Sequence, residues 1–378
     1  VEVERSRDPS LVGVPVIVGG LGRRGVVASA SYEARELGVR SAMPIGEARR
    51  LCPHGRFVAP THGIYGEVSS QVFAVFRSFT PLVEGLSVDE AFLDIAGLRL
   101  HYESPAAAGS ELRRRIRREL DLPASVGISA VKFISKLASD AAKPDGLLVI
   151  PAGEELAFLH LMPVRRLWGV GEATRVNLEA LGVATIGDLA AVPEGVLKKR
   201  IGPSLAQHLS RLAAGVDPRP VEPGDSAKSV SVEETYETDL EDPADIERAL
   251  LRLCSRLSSR LHRSHVVGHT VSLKVRFGDF ETLSRSETLA EPIDHAPGLW
   301  DEAQSLLQRA HLAGRGVRLL GLGISGLVDS DAPRQLSLDS SQRSVAAGVV
   351  EEVRERFGDD AVLPASLLRS DEDKHRDG

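Results

Sequence analysis

The 378-residue sequence predicts a multidomain α+β fold, on three observations. Strand-like and helix-like stretches alternate from the N-terminus to about residue 152. A helix-rich stretch with a Gly-x-Gly turn follows, up to about residue 218. Beyond a Pro-rich break over 217–225, the remaining signals run in the order β-α-β-β-α-β. A chain of this length with 42% hydrophobic residues can bury more than one core.

Pro15–Val18 and Val26–Ala28 read as strands, and a helix begins near Ser31. Tyr32 and Arg35 are three apart on its first turn and share a face. Amides at a helix N-terminus favour anions, and a guanidinium there can grip a phosphate bidentately. An ordinary capped surface helix would carry the same residues. From Gly66 to Phe79, the spacing of Val68, Val72, Val75 and Phe76 predicts a core-facing helix.

Within Gly85–Ile95, two short apolar stretches flank Asp89 and Glu90. Neighbours in a regular strand point to opposite faces, so adjacent carboxylates there could not share one cation. At the tip of a tight hairpin they could. Oxygen donors beside a phosphate-bearing substrate suit Mg²⁺, whereas a solvated polar tip would need no ligand. The helix Glu111–Leu120 is strongly basic and reads as a solvated face. Ala124–Ser129 reads as a strand and Lys132–Ala142 as a helix. Lys143 then falls in Ala-Lys-Pro-Asp-Gly, a turn by composition, where a lysine can act as a mobile point charge toward phosphate.

Leu167-Trp168-Gly169-Val170-Gly171 opens a helix, and its glycines would let a phosphate approach the backbone N–H groups. A bare turn between packed helices is the plainer alternative. After the break, 228–232 reads as a strand. A helix follows with Arg248, Arg252, Arg256 and Arg260 four apart, a basic stripe. Strands are predicted over 270–277, 282–290 and 317–327, and helices over 300–312 and 345–357. Arg252, Arg256, Lys274 and Arg276 are candidates for holding a nucleic-acid backbone without reading its bases.

Cys52 and Cys254 have no metal-ligand spacing, which predicts a reducing, cytoplasmic setting without disulfides or zinc. No long apolar run predicts a membrane span. The net charge of -7 means that any nucleic-acid binding comes from locally concentrated Arg and Lys.

Three motifs in order, Gly25–Pro44, Gly85–Ile95 and Gly127–Ser129 through Lys132, Lys136 and Ala142–Gly146, resemble the Y-family (lesion-bypass) DNA polymerases, bacterial DNA polymerase IV class. The resemblance implies a right-hand polymerase: fingers over 1–61, palm over 62–152 with an antiparallel sheet presenting the carboxylates, and a helical thumb with a helix-hairpin-helix over 153–218. A linker over 219–227, a little-finger domain over 228–328 and a tail over 329–378 complete it. It further implies that Asp89 and Glu90 bind two Mg²⁺ ions, with Glu90 on the primer side supporting deprotonation of its hydroxyl. Ser29, Tyr32, Arg35 and Lys143 would hold the triphosphate, and Gly169 and Gly171 would join the basic residues in gripping DNA. The expected partners are primer-template DNA, deoxynucleoside triphosphates and a sliding clamp, for a monomer off the membrane. Clamp docking would use Gln335, Leu336 and Leu338, although Asp339 stands where that peptide carries an aromatic. Family members begin with a strand bearing a first metal-binding Asp and a sugar-gating aromatic, which have no counterpart after Val1. The resemblance implies a template-directed, error-prone DNA polymerase of translesion synthesis and DNA repair, and the missing carboxylate gives the alternative expectation, a catalytically impaired, polymerase-like DNA-binding chain. A nuclease using Asp89 and Glu90 would leave Tyr32, Arg35 and Lys143 unexplained.

Overall fold

The computed structural model describes residues 1–224, 227–331, 349–350, 353–354, 356–358 and 361–362. The chain forms two compact units: Val1–Gly19, Val27–Ser41 and Arg49–Asp225 in the first, and Gly20–Val26, Ala42–Ala48 and Ser226–Gly378 in the second.

The first unit starts with the short helix α1 (Glu2–Arg7) and strands β1 (Val16–Gly19) and β2 (Val27–Ala30). Helix α2 (Tyr32–Glu36) and strand β3 (Arg56–Val58) follow, while helix α3 (Ile45–Leu51) has its residues up to Ala48 in the second unit and those from Arg49 in the first. β1 is central, antiparallel to β2 and parallel to β3, and is buried at every position, as the apolar run Val16-Ile17-Val18 requires. Ser31 ties this sheet to α2. Its Oγ accepts the Val16 N–H at 3.0 Å and the Ala34 N–H at 3.3 Å, capping the helix.

Next come α4 (His62–Phe79), β4 (Val83–Gly85), β5 (Ala91–Leu93), α5 (Pro105–Leu120), β6 (Val126–Ile128), α6 (Lys132–Ala141) and β7 (Leu147–Val149). As the spacing predicted, α4 turns Val75 and Phe76 inward, against Val83 of β4 and Leu112 and Ile116 of α5. The antiparallel sheet expected to present the carboxylates is the two-stranded one of β4 and β5. β4 and β5 pair as an antiparallel hairpin, whereas β6 and β7 form a separate parallel ladder. The reason is connectivity: β6 and β7 are joined through α6, and such a crossover returns the chain in the same direction. Gly127 lets α6 lie on β6, since a Cβ there would sit 2.1 Å from the Ser135 carbonyl oxygen.

Five helices complete the unit: α7 (Glu155–His160), α8 (Glu172–Glu179), α9 (Ile186–Ala191), α10 (Glu194–Ile201) and α11 (Pro203–Ala213). Leu159, Leu178, Ile186, Leu197 and Leu209 share one core with Phe133, Ile134 and Leu137 of α6. Each such side chain contributes roughly 1.5–3 kcal/mol of burial.

The second unit is built on β8 (Ser229–Leu240), α12 (Pro243–Arg263), β9 (Val266–Phe277), β10 (Thr282–Ile293), α13 (Ala296–Ala310) and β11 (Val317–Asp329). This is the β-α-β-β-α-β order expected, in an antiparallel sheet ordered β10-β9-β11-β8. Leu250, Leu253 and Leu257 of α12 pack with Val271, Leu273 and Val275 of β9 and Leu306 of α13, so both helices cover one face. Of the helix expected over 345–357, residues 349–350, 353–354 and 356–357 are described and helical. The Arg354 side chain is buried, donating to Ser255 Oγ at 2.7 Å.

Candidate functional site

Asp89 and Glu90 occupy the tip of the β4–β5 hairpin. Gly85 pairs with Ala91, and the Leu86 and Ser87 N–H groups donate to the Glu90 carbonyl oxygen at 2.9 and 3.2 Å. Ser87 donates its hydroxyl to Asp89 Oδ1 at 2.6 Å and accepts the Asp89 N–H at 3.3 Å, which fixes the turn. Asp89 is exposed and Glu90 half-buried. Glu90 is not free, because Lys136 on α6 donates to its Oε2 at 2.7 Å.

Lys143 follows α6, in the turn that precedes β7. Its Nζ donates to Asp140 Oδ1 at 2.7 Å. Burial opposes its charge, but Asp140, Glu90 and Tyr32 together outweigh that and raise the ammonium above the ordinary lysine pKa. Lys136 ties the hairpin tip to α6, and Lys143 stands two residues beyond the end of that helix, so the tip and the lysine turn are joined through α6. On α2, the Arg35 guanidinium carbon lies 5.9 Å from the Tyr32 ring centroid, and its Nε donates to the Ala30 carbonyl oxygen at 2.9 Å. Ser29, half-buried on β2, is paired with Val18.

The donors at the tip are all oxygen, which fits a hard cation. Among the described residues no group of three or more His, Cys, Asp or Glu gathers as a metal site. Asp89 and Glu90 would therefore supply part of a shell, with phosphate and water filling the rest, an arrangement Mg²⁺ commonly adopts.

Lys132, Lys136 and Glu84 were not among the candidate site residues. Lys132 and Lys136 are one helical turn apart, and that spacing was the available signal. Lys132 binds Glu84 on β4, and its Nζ also donates to the Pro220 carbonyl oxygen at 2.9 Å. Glu84 Oε2 accepts the Glu222 N–H at 2.8 Å. The stretch read as a plain linker is thus strapped at its start to the hairpin that carries Asp89 and Glu90.

Gly169 adopts φ +91°, a conformation that favours glycine, and Gly171 precedes α8. Both are exposed. The preceding residue, Trp168, packs edge-on against Phe92 of the hairpin with ring centroids 6.2 Å apart, and the Arg219 guanidinium carbon lies 5.3 Å from the Trp168 ring centroid.

The four basic residues of the second unit do not form one surface. Arg256 pairs with Glu234 at 2.9 Å, whereas Lys274 pairs with Glu233 at 2.9 Å. Glu233 and Glu234 are neighbours in β8 and point to opposite faces. Arg256 and the exposed Arg252 therefore belong to the helix-covered side. Lys274 and Arg276 belong to the open face, with Ser272, Gly321, Gly323 and Ser231 beside them in register. Arg276 Nε donates to Thr282 Oγ1 at 2.9 Å across the β9–β10 pair. Helical spacing alone could not say on which side of the sheet α12 packs. Gln335, Leu336 and Leu338 lie outside the described residues.

A model described as the impB/mucB/samB family matches residues 1–140, and the model of that family's C-terminal domain matches 227–338. A third, described as the DNA polymerase-iota thumb domain, matches 165–217. DNA polymerase IV of Streptomyces coelicolor is 46% identical over 329 residues, covering 86% of this chain and 68% of that one. DNA polymerase IV of Desulfatibacillum aliphaticivorans is 40% identical over 378 residues, covering 99% of this chain and 95% of that one. Among solved structures, a Y-family DNA polymerase chimera, Dbh-Dpo4(243-245)-Dbh, superposes with a TM-score of 0.79 at 25% identity, over 87% of this chain and 96% of that one. The insertion ternary complex of Dbh DNA polymerase gives 0.64 at 25% identity, with the same coverage. No helix of the described residues is long and apolar enough to cross a membrane.

Proposed function

The chain belongs to the impB/mucB/samB family, the Y-family DNA polymerases of the DNA polymerase IV class, and from that premise we propose that it is a template-directed, error-prone DNA polymerase of translesion synthesis. The observation that carries the reading is the Lys136–Glu90 ion pair at 2.7 Å, which joins the carboxylate hairpin to the helix that leads into the lysine turn. Two carboxylates, a cation and an aromatic–arginine helix face are what a nucleotide's triphosphate and its metal need in one place.

In this reading Ser29, Tyr32, Arg35 and Lys143 bind and orient the triphosphate of a deoxynucleoside triphosphate. Arg35 serves as a fork and Lys143 as a point charge. Asp89 and Glu90 would hold Mg²⁺, two ions in the full assembly, and bound there the metal supplies charge neutralisation on the phosphates. Glu90, which Lys136 already holds, lies on the side of the primer hydroxyl and assists its deprotonation. Gly169 and Gly171 with Lys274 and Arg276 hold the primer-template backbone. Such contacts position the duplex and read no sequence.

A second reading is a DNA-binding protein of the same shape with impaired chemistry. It draws on one observation, that among the described residues no third carboxylate joins Asp89 and Glu90. Two measurements on one primer-template separate the cases. Mg²⁺-dependent extension past an abasic site supports the polymerase. Nucleotide-stabilised DNA binding without extension supports the impaired form. If the next templated nucleotide leaves DNA affinity unchanged and no extension occurs, both readings fail.

A further inference from the structure

The basic helix α5 was expected to be a solvated face, yet two of its arginines, Arg113 and Arg117, both reach Asp145 in the turn after α6. Arg113 donates through Nε to the Ala124 carbonyl oxygen at 2.9 Å, and its NH2 group meets Asp145 Oδ1 at 3.2 Å. The same group also donates to the Asp145 carbonyl oxygen. Arg117, one turn further on, donates to Asp145 Oδ2 at 3.0 Å. The Ala124 N–H donates to Asp145 Oδ1 at 3.1 Å. One carboxylate thus collects two guanidiniums and a backbone amide.

Asp145 lies two residues after Lys143. Its φ is +43°, in the left-handed region that Asp tolerates in turns better than most residues with a Cβ. Gly146 follows, with its carbonyl oxygen accepting the Val126 N–H at 2.9 Å. Burial works against the Asp145 charge, but Arg117, Ala124 and Arg113 outweigh it and keep the carboxyl below its ordinary pKa.

We propose that Asp145, gripped by Arg113 and Arg117 of α5, is a positioning residue that fixes the lysine turn so that Lys143 meets the nucleotide's phosphates. The inference rests on the polymerase reading of Lys143. A lysine stem has many rotamers, so the direction of its ammonium depends on how firmly the backbone beneath it is held. Asp145 holds that backbone on one side and Asp140 receives the ammonium on the other. Arg113 and Arg117 act through Asp145, which makes the basic run of α5 part of the nucleotide site without touching the nucleotide.

The test uses the full chain on a primer-template whose primer ends in a dideoxynucleotide, with Mg²⁺. The affinity for the next templated deoxynucleoside triphosphate is titrated, so no turnover is needed. K143A is measured first and sets the largest loss to be expected. D145N and R117Q should each weaken nucleotide binding about fivefold, the scale of a mispositioned contact, with DNA affinity unchanged. R117K, which keeps the charge, should recover most of the loss. D145N in the K143A background should add nothing, because both changes remove one interaction. Wild-type nucleotide affinity in D145N and R117Q, or a D145N loss that adds in full to that of K143A, overturns the proposal while leaving the polymerase reading standing. Unchanged affinity in K143A overturns the reading of Lys143 itself, and the proposal with it.

Discussion

Glu84 carries an energetic weight that its position in a three-residue strand does not advertise. Its side chain is 13% exposed and that of Lys132 is 9% exposed, so the pair is largely removed from water. Glu84→Gln keeps an acceptor for the Glu222 N–H but removes the charge that faces Lys132. A loss of about 2 kcal/mol in unfolding free energy is expected, read by denaturant titration. Burial raises the carboxyl pKa, yet the Glu222 N–H and Lys132 outweigh it, so the folded value lies below the ordinary one of 4.5. A depressed acid stabilises fully above its unfolded pKa and loses that contribution as pH falls through the folded one. The Glu222 N–H should therefore keep its hydrogen-exchange protection at neutral pH and lose it progressively as pH falls below the ordinary value of 4.5 and through the lower folded one. Retained protection there would show that the strap does not depend on the carboxylate. The Asp89–Glu90 tip was legible in the sequence because apolar stretches on both sides leave only a turn between them. The Glu84–Lys132 pair was not, since it joins positions 48 apart that only the packing of α6 brings together.

At the scale of elements, α6 presents Lys132 and Lys136 to the hairpin, and its height above β6 is set by Gly127. Gly127→Ala would drive a Cβ into the Ser135 carbonyl oxygen and the Ser139 N–H, both backbone groups that cannot turn aside. The expected result is a shifted α6, a broken Lys136–Glu90 contact and at least tenfold weaker nucleotide binding. A wild-type titration would mean that the helix relaxes without moving its lysines. The two faces of the second unit give a sharper contrast. Lys274→Gln should weaken DNA binding alike on all sequences and reduce the slope of log affinity against log salt by about 1. Arg256→Gln, on the helix-covered side, should leave that slope unchanged. Equal effects would return both residues to one DNA surface. The β-α-β-β-α-β order was readable from turn chemistry and from alternation, clearest in β9, where Val271, Leu273, Val275 and Phe277 are buried and the residues between them are not. The side on which α12 packs is a property of the folded sheet, so the arginine spacing could establish a stripe but not its neighbours.

At the scale of the whole molecule, a net charge of -7 opposes any general attraction to DNA. Binding must then depend on the placement of a few cations, which the fold supplies, and should fall steeply with salt. The second unit has a closed core of its own, drawn from β8, α12, β9, α13 and β11. Its segment over 227–331 contains every strand of that sheet. Excised, it would lose the contacts that Arg23 and Arg24 make with Tyr236, Glu237 and Asp239. The Arg23 contacts are exposed and worth about 1 kcal/mol or less each, and the partly buried Arg24–Asp239 pair is one interaction set beside a core of many fully buried side chains. A fragment 227–331 should therefore unfold in one cooperative transition. Leu253, fully buried on α12, is the position to probe it. Leu253→Ala should cost about 3 kcal/mol in the fragment, and in the full chain it should lower only the transition that the fragment reproduces. A fragment without a cooperative transition would show that the core of the second unit needs the rest of the chain, and the division into two folding units would not hold.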